Sequence, residues 1–574
     1  MDSQLSPARD EELEAQLEER ADYIPLERLE RETAVTDFYE SVHRKLIHTG
    51  TKLLSGPRGC GKTHLMRYTY LQCVKKAALP LAVYASFNRY YRLEPLLREQ
   101  ISAISTFHTW MLTVLLRGLA DSAIDLLGPA GAVVFETASG IAPDSLNDLT
   151  ARIERGQQLG PELQVVAERV TIIHLQEAIR AITKHAGRSR AVLLLDDAAL
   201  TLTREYLHEF FDVVRAIKTS NITPKASVYP GTTEYGPNFH AAQEAETVSV
   251  WLSPEGAAYQ NTMMQIAELR HQNLGDLQPD AVRYLMYAAF GVPRAFLVLL
   301  RGLQQSSQGT TQSSVNRLIE DHAKARMAEY RSLKLKMPKF ASIIEIGAIL
   351  FGKLVSDLKT HNAAQDRPTM VVGLAGADND APIERVLSLL VEAGLLHELH
   401  SVSHGTDRTY RRFIVSLATL MEERAFSGGK RGAAMRDVVE VIAAEQTSKH
   451  PLRRSISTLL AKEQVARLQP DLPECAKCHS ARLSANQRFC HNCGNELVDT
   501  SAFAECMKTR VSEVPGLTTW TRSKLEEIET FKTLGEFLAD PNPAARLRKI
   551  HMVGETRAKR ITQIVTGYVD EYLS

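Results

Sequence analysis

Residues Gly56-Pro57-Arg58-Gly59-Cys60-Gly61-Lys62-Thr63 follow a short apolar segment, 52–55, and decide the fold of this 574-residue chain. The three glycines let the backbone curl so that its N–H groups point inward at bound phosphates. Lys62 reaches the β- and γ-phosphates as a point charge, and the Thr63 hydroxyl binds Mg²⁺. The helix that begins here adds the positive end of its dipole. The stretch therefore predicts a site for ATP and Mg²⁺, with Cys60 as an inert spacer.

A second strand supports the same site. Residues 191–195 are apolar and end in two carboxylates, Asp196 and Asp197. In P-loop ATPases such a strand lies beside the P-loop strand, its first acid holds Mg²⁺ and its second polarises the attacking water. Many such enzymes have Asp-Glu here, and Asp197 is one methylene shorter. The pair therefore predicts nucleotide binding and leaves hydrolysis open.

Two later motifs fit the same plan. The predicted strand 226–229 leads into Pro230-Gly231-Thr232-Thr233, where one threonine hydroxyl is placed to sense the γ-phosphate, although an ordinary turn is an equal reading. Gly291-Val292-Pro293-Arg294 opens a helix of a small bundle, from which Arg294 can fold over the phosphates. With strands and helices alternating upstream, this order predicts a parallel sheet with crossover helices and a helical lid.

Residues 36–303 resemble the AAA+ ATPases, and most of all their replication-initiator (ORC-type) clade, in which a winged helix follows the lid. The resemblance implies a multidomain α/β fold and roles for individual residues. The phosphate-binding loop would consist of Gly56, Pro57, Arg58, Gly59, Cys60 and Gly61, and Lys62 and Thr63 would bind ATP–Mg²⁺. Asp196 would bind Mg²⁺ and Asp197 would polarise the water. Thr232 or Thr233 would act as the first sensor, and Arg294 as the second sensor.

The resemblance also implies a homo-oligomer in the ATP-bound state, because such proteins hydrolyse ATP between subunits with an arginine from the neighbour. Arg188, Arg204 and Arg215 are the candidates for that arginine, and the sequence does not choose among them. The signalling ATPases of the STAND class are the closest rival family. They also place a Gly-x-Pro motif before a winged helix, but without the arginine.

Residues 383–415 predict the winged helix. An amphipathic helix, 383–396, is followed by two short strands around the tip His404-Gly405-Thr406-Asp407. Three arginines of the second strand, Arg408, Arg411 and Arg412, are candidates for contacts with DNA phosphates. The alternative is that this unit serves packing alone.

Four cysteines predict a zinc site. Cys475-x2-Cys478-x11-Cys490-x2-Cys493 presents two thiolate pairs, and Zn²⁺ in structural sites takes four such ligands in a tetrahedron. The segment resembles a zinc ribbon, which is a closed structural site without catalysis. Whether it contacts DNA or protein stays open.

The C-terminal stretch 546–561, RLRKIHMVGETRAKRI, resembles a helix-hairpin-helix motif, which holds a DNA phosphate through backbone N–H groups. It carries six basic residues and one acid, Glu555, for a local net charge of +5. Met552 stands where the motif often has its first glycine. A second, degenerate copy begins at Val514-Pro515-Gly516, which suggests a tandem domain for DNA or for protein partners.

The composition of the whole chain limits the kinds of partner and compartment that can be expected. Lys+Arg and Asp+Glu both number 68, so contact with nucleic acid must come from local patches. The polar, acidic N-terminus and the lack of a long apolar run predict a cytoplasmic protein with no membrane segment. Two other stretches are predicted as a mobile insertion (128–160) and a helical linker (433–467).

The predicted domains are a charged extension (1–35), the AAA+ core and lid (36–303), a linker helix (304–337), the winged helix (338–426), a helical linker (427–470), the zinc ribbon (471–498) and the tandem hairpin domain (501–574). We expect an ATPase that engages duplex DNA through its C-terminal modules and uses ATP as an assembly or conformational switch. The alternatives are a STAND-like sensor of a protein ligand and a non-hydrolysing ATP-binding scaffold. The general plan also resembles stand-alone ATPases of prokaryotic antiviral defence or mobile elements.

Overall fold

The computed structural model describes most of the chain. The described residues are 21–93, 102–197, 204–271, 273–305, 311–365, 368–376, 380–404, 408–426, 434–444, 452–468, 474–475, 477–483, 487, 489–495, 497, 506–526, 531–540 and 542–573. Among them, no helix is long and apolar enough to cross a membrane. The predictions for residues 1–20, the glycine-rich break 428–432 and the wing tip 405–407 lie outside the described residues.

A five-stranded parallel sheet forms the N-terminal core. Its strands are β1 (Thr51–Ser55), β2 (Leu81–Ser86), β3 (Ala191–Asp196), β4 (Ile222–Val228) and β5 (Ala245–Ser249). Their order across the sheet is β2-β3-β4-β1-β5, so β1 lies at the point where the strand order reverses direction. Every residue of β3 and β4 is buried, as expected for central strands covered by helices on both faces. All five strands therefore end at one edge of the sheet.

Nine helices accompany this sheet in the described residues. They are α1 (Leu26–Arg31), α2 (Asp37–Ile47), α3 (Lys62–Lys75), α4 (Ala103–Leu127), α5 (Ala130–Ser139), α6 (Pro143–Glu154), α7 (Pro161–Arg169), α8 (Ile172–His185) and α9 (Arg204–Ile217). A short helix, α10 (Ala241–Glu244), precedes β5.

One sequence prediction for this region is wrong. The stretch 128–160 is not a mobile insertion, because α5 and α6 bury Phe135, Leu146 and Leu149 completely in the core that also holds α4. The charged N-terminal extension also contributes to packing, since Ile24 and Leu29 are buried. Composition rich in Gly, Ala, Ser and Asp hid the spacing of the few large apolar residues that carry this packing.

The lid and the winged helix follow the sheet and share one continuous apolar core. The lid contains α11 (Tyr259–Arg270), α12 (Pro279–Ala288) and α13 (Pro293–Gln304), and two long helices follow it, α14 (Gln312–Lys336) and α15 (Ala341–Ala363). The winged helix comprises β6 (Val371–Ala375), α16 (Ala381–Glu392), β7 (Leu396–His404), β8 (Arg408–Val415), α17 (Leu417–Glu422), α18 (Met435–Ala443), β9 (Leu452–Ser455), α19 (Ile456–Leu459) and α20 (Lys462–Ala466).

The strand β9 corrects the prediction that 433–467 is a purely helical stretch. It pairs in parallel with β6, on the other side from the antiparallel β7–β8 hairpin, and completes a four-stranded sheet. Leu452 is buried there, and Arg454 pairs with Asp357 of α15. The segment therefore belongs to the winged-helix sheet.

The C-terminal unit is helical, as its sequence predicts. It contains α21 (Thr519–Glu526), α22 (Leu534–Ala539), α23 (Pro543–Leu547) and α24 (Glu555–Leu573). The turns before α21 and α24 each contain one residue with a left-handed backbone, Gly516 (φ +84°) and Met552 (φ +71°). These two residues hold matching places in the two proposed hairpin copies.

Candidate functional site

The P-loop lies at the carboxyl end of β1. Gly59 and Gly61 have φ values of +79° and +98°, which side chains rarely adopt, and α3 begins at Lys62 immediately afterwards. A Cβ on Gly56 would lie 2.8 Å from Sγ of Cys60. Cys60 is buried, and burial raises the pKa of its thiol. It fills the inside of the loop as a neutral thiol, in agreement with the prediction that it is inert.

Lys62 is held against its own loop. Its Nζ donates to the carbonyl oxygens of Gly56 (2.6 Å) and Pro57 (3.3 Å) and lies 3.9 Å from the centre of the Tyr229 ring. Burial lowers the pKa of Lys62, while the carboxylates of Asp197, Glu392 and Asp196 oppose that shift. The ammonium group is thus placed between the P-loop and the carboxyl end of β4.

Asp196 and Asp197 lie beside the start of α3. The Thr63 side chain forms a hydrogen bond with the Asp196 carboxylate, and Tyr84 Oη donates to Asp196 Oδ2 at 2.9 Å. Burial, followed by the charge of Asp22, raises the pKa of Asp196. Asp197 is 7% exposed with a φ of +50°. The structure therefore brings together the three side chains predicted for Mg²⁺ and water.

Asp22 was missed by the sequence analysis. One carboxylate oxygen from each of Asp22, Asp196 and Asp197 lies within 4.8 Å of the others. The N-terminal segment reaches the sheet edge because Arg67 of α3 donates to the carbonyl oxygens of Ala21 and Ile24. Hydroxyl and carboxylate oxygens are the donors that Mg²⁺ prefers, so the set formed with Thr63 fits that ion. Asp22 lies in a charge-rich run whose sequence gives no signal of this position.

Arg294 lies against the P-loop, as predicted for a residue of the lid. Its backbone N–H donates to the Gly59 carbonyl at 3.4 Å, and a Cβ on Gly59 would lie 3.0 Å from the Cβ of Arg294. Pro293 occupies the first turn of α13. Gly291 has a φ of +75°, and a Cβ there would strike the Leu252 carbonyl oxygen, so the position requires glycine on both grounds. The Gly-x-Pro-Arg motif thus places an exposed arginine beside the loop.

The strand order and these contacts together decide the architecture. The P-loop strand lies between β5 and β4, the acidic strand β3 is next, and a lid arginine contacts the loop. The chain has the AAA+ fold. The predicted fold class, an α/β sheet with a helical lid, a winged helix and smaller C-terminal units, is confirmed.

Comparisons with known proteins give distant likenesses. No protein-family model and no curated protein sequence matches the chain. The ORC1 protein of Aeropyrum pernix, solved in complex with DNA, is similar over 72% of this chain and 96% of its own, with a TM-score of 0.31 and 15% identity. A Walker-type ATPase of Pyrococcus abyssi is similar over 69% of this chain and 95% of its own, with a TM-score of 0.37 and 14% identity. The AAA+ assignment rests on the chain's own strand order and P-loop.

The two threonines predicted as alternatives for the first sensor have different partners. The Thr233 hydroxyl accepts a hydrogen bond from the Tyr229 N–H at 2.9 Å and closes the turn after β4. The Thr232 hydroxyl instead faces the winged helix and bonds both carboxylate oxygens of Glu392, at 3.0 and 3.1 Å. Glu392 attracts Lys62 electrostatically, so Thr232 belongs to the surroundings of the P-loop ammonium.

Two arginines predicted for intermolecular contacts are used inside the molecule. Arg188 donates to three main-chain carbonyls, including Leu79 O (2.7 Å) and Cys73 O (3.2 Å), and so ties α8 to the end of α3. Arg411 is 8% exposed and pairs with Glu398 and Glu384. Both candidates therefore use their guanidinium groups in contacts within the molecule. Sequence alone does not show which arginines meet a carboxylate after folding.

The four zinc-ribbon cysteines converge. Cys475 Sγ lies 3.5 Å from Cys493 Sγ, and Cys478 Sγ lies 3.4 Å from Cys490 Sγ. All four sulfurs lie within 4.8 Å of one another. Separations of this size suit thiolates around one tetrahedral Zn²⁺, which would supply no catalysis here and would tie the two loops together.

The ribbon's two loops have the same backbone design. His479 N–H donates to Cys475 O (2.8 Å), and Gly494 N–H donates to Cys490 O (2.9 Å). Both residues have a left-handed backbone, with φ values of +55° and +68°. His479 therefore performs the turn that a glycine performs in the second loop, and its side chain is not one of the clustered ligands.

Proposed function

We propose that this protein is an AAA+ ATPase that binds ATP–Mg²⁺ at residues 56–63 and couples nucleotide state to the arrangement of its C-terminal DNA-binding units. The observation that carries the proposal is the convergence on one sheet edge of Lys62, the Thr63–Asp196 pair and the lid residue Arg294. In this assignment Mg²⁺ offsets phosphate charge, Lys62 and the P-loop N–H groups hold the phosphates, and Asp197 orients water.

The arginine that completes the site of a neighbouring subunit is assigned to Arg204. Its side chain is 59% exposed and lies at the start of α9. Its Nε lies 3.3 Å from Oε2 of Glu234, which directly follows Thr232 and Thr233 in the chain. Arg215 is equally exposed but pairs with Glu244 at the opposite end of α9. Only Arg204 shares the edge of the sheet that carries the phosphate site, so ATP-bound homo-oligomers would use it.

DNA binding is assigned to the C-terminal hairpins. Six basic residues around the second hairpin are exposed: Arg546, Arg548, Lys549, Arg557, Lys559 and Arg560. Arg557 donates to Met552 O at 2.8 Å, and its guanidinium lies 5.1 Å from the Trp520 ring of the first hairpin. This contact joins the two copies, so that their turns form one basic surface suited to a phosphate backbone.

The test is the ATPase rate with and without duplex DNA, for wild type and Lys62→Ala. We expect turnover that DNA alters and that Lys62→Ala abolishes. An unchanged rate in Lys62→Ala would remove the nucleotide-site assignment. A rate insensitive to DNA that rises only with a protein ligand would favour the STAND-like alternative. ATP retained on purification without turnover would identify the non-hydrolysing scaffold.

A further inference from the structure

The last residue of α16, Glu392, contacts the ATPase core. The Glu392 carboxylate accepts hydrogen bonds from Gly231 N–H and Thr232 N–H, both 2.8 Å long, and from the Thr232 hydroxyl. Two consecutive N–H groups and a hydroxyl that converge on one point form an anion-binding pocket. The pocket lies in the loop after β4, and a carboxylate from the winged helix occupies it.

The same pocket faces the phosphate side of the nucleotide site. β4 is the direct neighbour of the P-loop strand β1, and Lys62 Nζ lies 3.9 Å from the ring centre of Tyr229, which directly follows β4 and begins the loop that contains Thr232 (the Thr232 loop). Lys62 and Glu392 attract each other. The donors that hold Glu392 are therefore those available to the γ-phosphate of ATP, the one phosphate that ADP lacks.

The helix α16 packs closely against this loop. Arg385, also on α16, donates to Gly231 O at 2.8 Å and approaches Glu234 at 3.4 Å. A Cβ on Gly231 would lie 2.8 Å from the backbone N and Cα of Leu389, so only glycine allows the helix to come this close. Displacement of Glu392 by an anion would thus act on the whole helix.

Two features make Glu392 replaceable. Burial is the largest influence on the pKa of Glu392 and raises it. The buried carboxylate has lost part of its hydration, which it would regain on release into water. It is also the last residue of α16, where the negative end of the helix dipole disfavours an acid. A phosphate at the same donors is not attached to the end of α16 and so avoids the second disadvantage.

We propose that Glu392 stands in for the γ-phosphate when no triphosphate is bound, latching the winged helix onto the Thr232 loop, and that ATP displaces it while ADP does not. The proposal rests on the proposed ATP site. It gives the core a direct means of reporting ATP, as distinct from ADP, to the winged helix. The N–H and hydroxyl of Thr232 then bind either the Glu392 carboxylate or the γ-phosphate.

The test uses the full chain carrying Glu392→Gln, with Glu384→Gln as the matched control. Glu384 lies on the same helix, and its carboxylate pairs with Arg411 away from the loop. We expect Glu392→Gln to bind a non-hydrolysable ATP analogue about tenfold more tightly, with ADP affinity unchanged, because one competing charge is lost. Glu384→Gln should match wild type for both ligands.

A second measurement follows the helix itself. Hydrogen exchange of 381–392 should rise in wild type with the ATP analogue but not with ADP, and should already be raised in nucleotide-free Glu392→Gln. Arg385→Ala removes a contact between α16 and the loop and leaves intact the N–H and hydroxyl donors that bind Glu392. It should therefore shift analogue affinity and hydrogen exchange in the same direction as Glu392→Gln does. Analogue affinity and exchange of Glu392→Gln equal to those of Glu384→Gln would overturn the latch.

These outcomes separate the latch from the ATP site on which it rests. Analogue binding by wild type that Lys62→Ala abolishes, together with an unaltered Glu392→Gln, leaves the ATP site standing and removes the latch. Wild type that binds neither analogue nor ADP removes the ATP site, and the latch with it. Thermal unfolding of each variant identifies any loss of affinity that comes from misfolding.

Discussion

The Tyr84 hydroxyl donates a hydrogen bond of 2.9 Å to Oδ2 of Asp196, the acid assigned to Mg²⁺. Tyr84 lies on β2 and Asp196 ends β3, and the two strands are paired in register with Ser86 opposite Asp196. The bond fixes the orientation of a carboxylate whose other oxygen accepts from Asp197 N–H at 3.0 Å. Partners of this kind orient metal ligands.

Removal of the Tyr84 hydroxyl should weaken the apparent affinity for Mg²⁺ in ATP turnover. We expect Tyr84→Phe to raise the Mg²⁺ concentration for half-maximal ATPase rate by about tenfold or more, because loss of such a partner loosens the ligand. Tyr70→Phe is the control, since its hydroxyl bonds Asp125 (2.6 Å) away from the site. Equal magnesium dependence in the two variants would contradict this role for Tyr84.

Removal of zinc should unfold the ribbon and spare the ATPase core. Cys490→Ser leaves three thiolates, so we expect bound zinc to fall from about one ion per chain toward none, because structural sites need all four ligands. Metal analysis and proteolysis within 474–497 are the measurements. His491→Ala, at an exposed neighbour, should keep its zinc, and ATP binding should persist in both variants. Full zinc content in Cys490→Ser would disprove the four-cysteine site.

The left-handed backbone of Met552 predicts a stabilising substitution. Met552 is 62% exposed, so its side chain contributes little packing, while a φ of +71° is strained for any residue with a Cβ. Met552→Gly should raise the free energy of unfolding of the C-terminal unit by about 1 kcal/mol, the relieved strain less the added chain entropy. Met552→Ala retains the strain and should give no gain.

The matching glycine should respond in the opposite sense. A Cβ on Gly516 would meet Ile564 at an ordinary 3.7 Å, so Gly516→Ala has room and suffers only the backbone cost, about 1 kcal/mol. Urea unfolding of all three variants provides the comparison. Equal stability of Gly516→Ala and wild type would show that the turn tolerates a side chain.

A buried lysine predicts a pH dependence of stability. Lys225 on β4 is fully buried and donates to His48 O at 2.7 Å and to Gly50 O. Burial, reinforced by the positive charge of Lys52, lowers its pKa to about 7. The unfolded chain keeps the ordinary pKa near 10.4, so between these values it binds a proton that the folded chain lacks. Stability from this group therefore rises with pH.

The measurement is urea unfolding of wild type and Lys225→Met at pH 7, 8 and 9. The free energy of wild type relative to the variant should rise by up to about 1.4 kcal/mol per pH unit. Lys184→Met, at an exposed position near the end of α8, should show a constant difference from wild type. A constant difference for Lys225→Met as well would show that Lys225 stays charged when folded.

The basic hairpin predicts a defined salt dependence of DNA binding. Arg548→Ala with Lys549→Ala removes two exposed cations, so the slope of log K against log salt should fall by about two. Fluorescence titration with duplex DNA at several salt concentrations measures it. Lys324→Ala with Arg436→Ala removes equal charge from exposed positions on α14 and α18 and should leave the slope unchanged. Equal slopes in the two double variants would place DNA elsewhere.

Local sequence was sufficient for the parts that depend on backbone and spacing. The P-loop could be predicted because the loop conformation needs glycine at particular steps, as Gly59 and Gly61 show. The four-cysteine cluster could also be predicted from the sequence, since two CxxC segments can converge whatever surrounds them. Met552 stood out as an exception to a glycine pattern, and its left-handed backbone shows that the position imposes its conformation on the side chain present.

Only the tertiary structure decided which distant side chains meet. Nothing near Asp22 or Glu392 in the sequence indicates that the first joins the β3 carboxylates and the second binds the Thr232 loop. The same holds for Arg188 and Arg411, whose charges are satisfied inside the molecule. Such contacts arise from the packing of whole helices and strands, so a local pattern specifies the chemistry of the P-loop, and only the fold specifies what faces it.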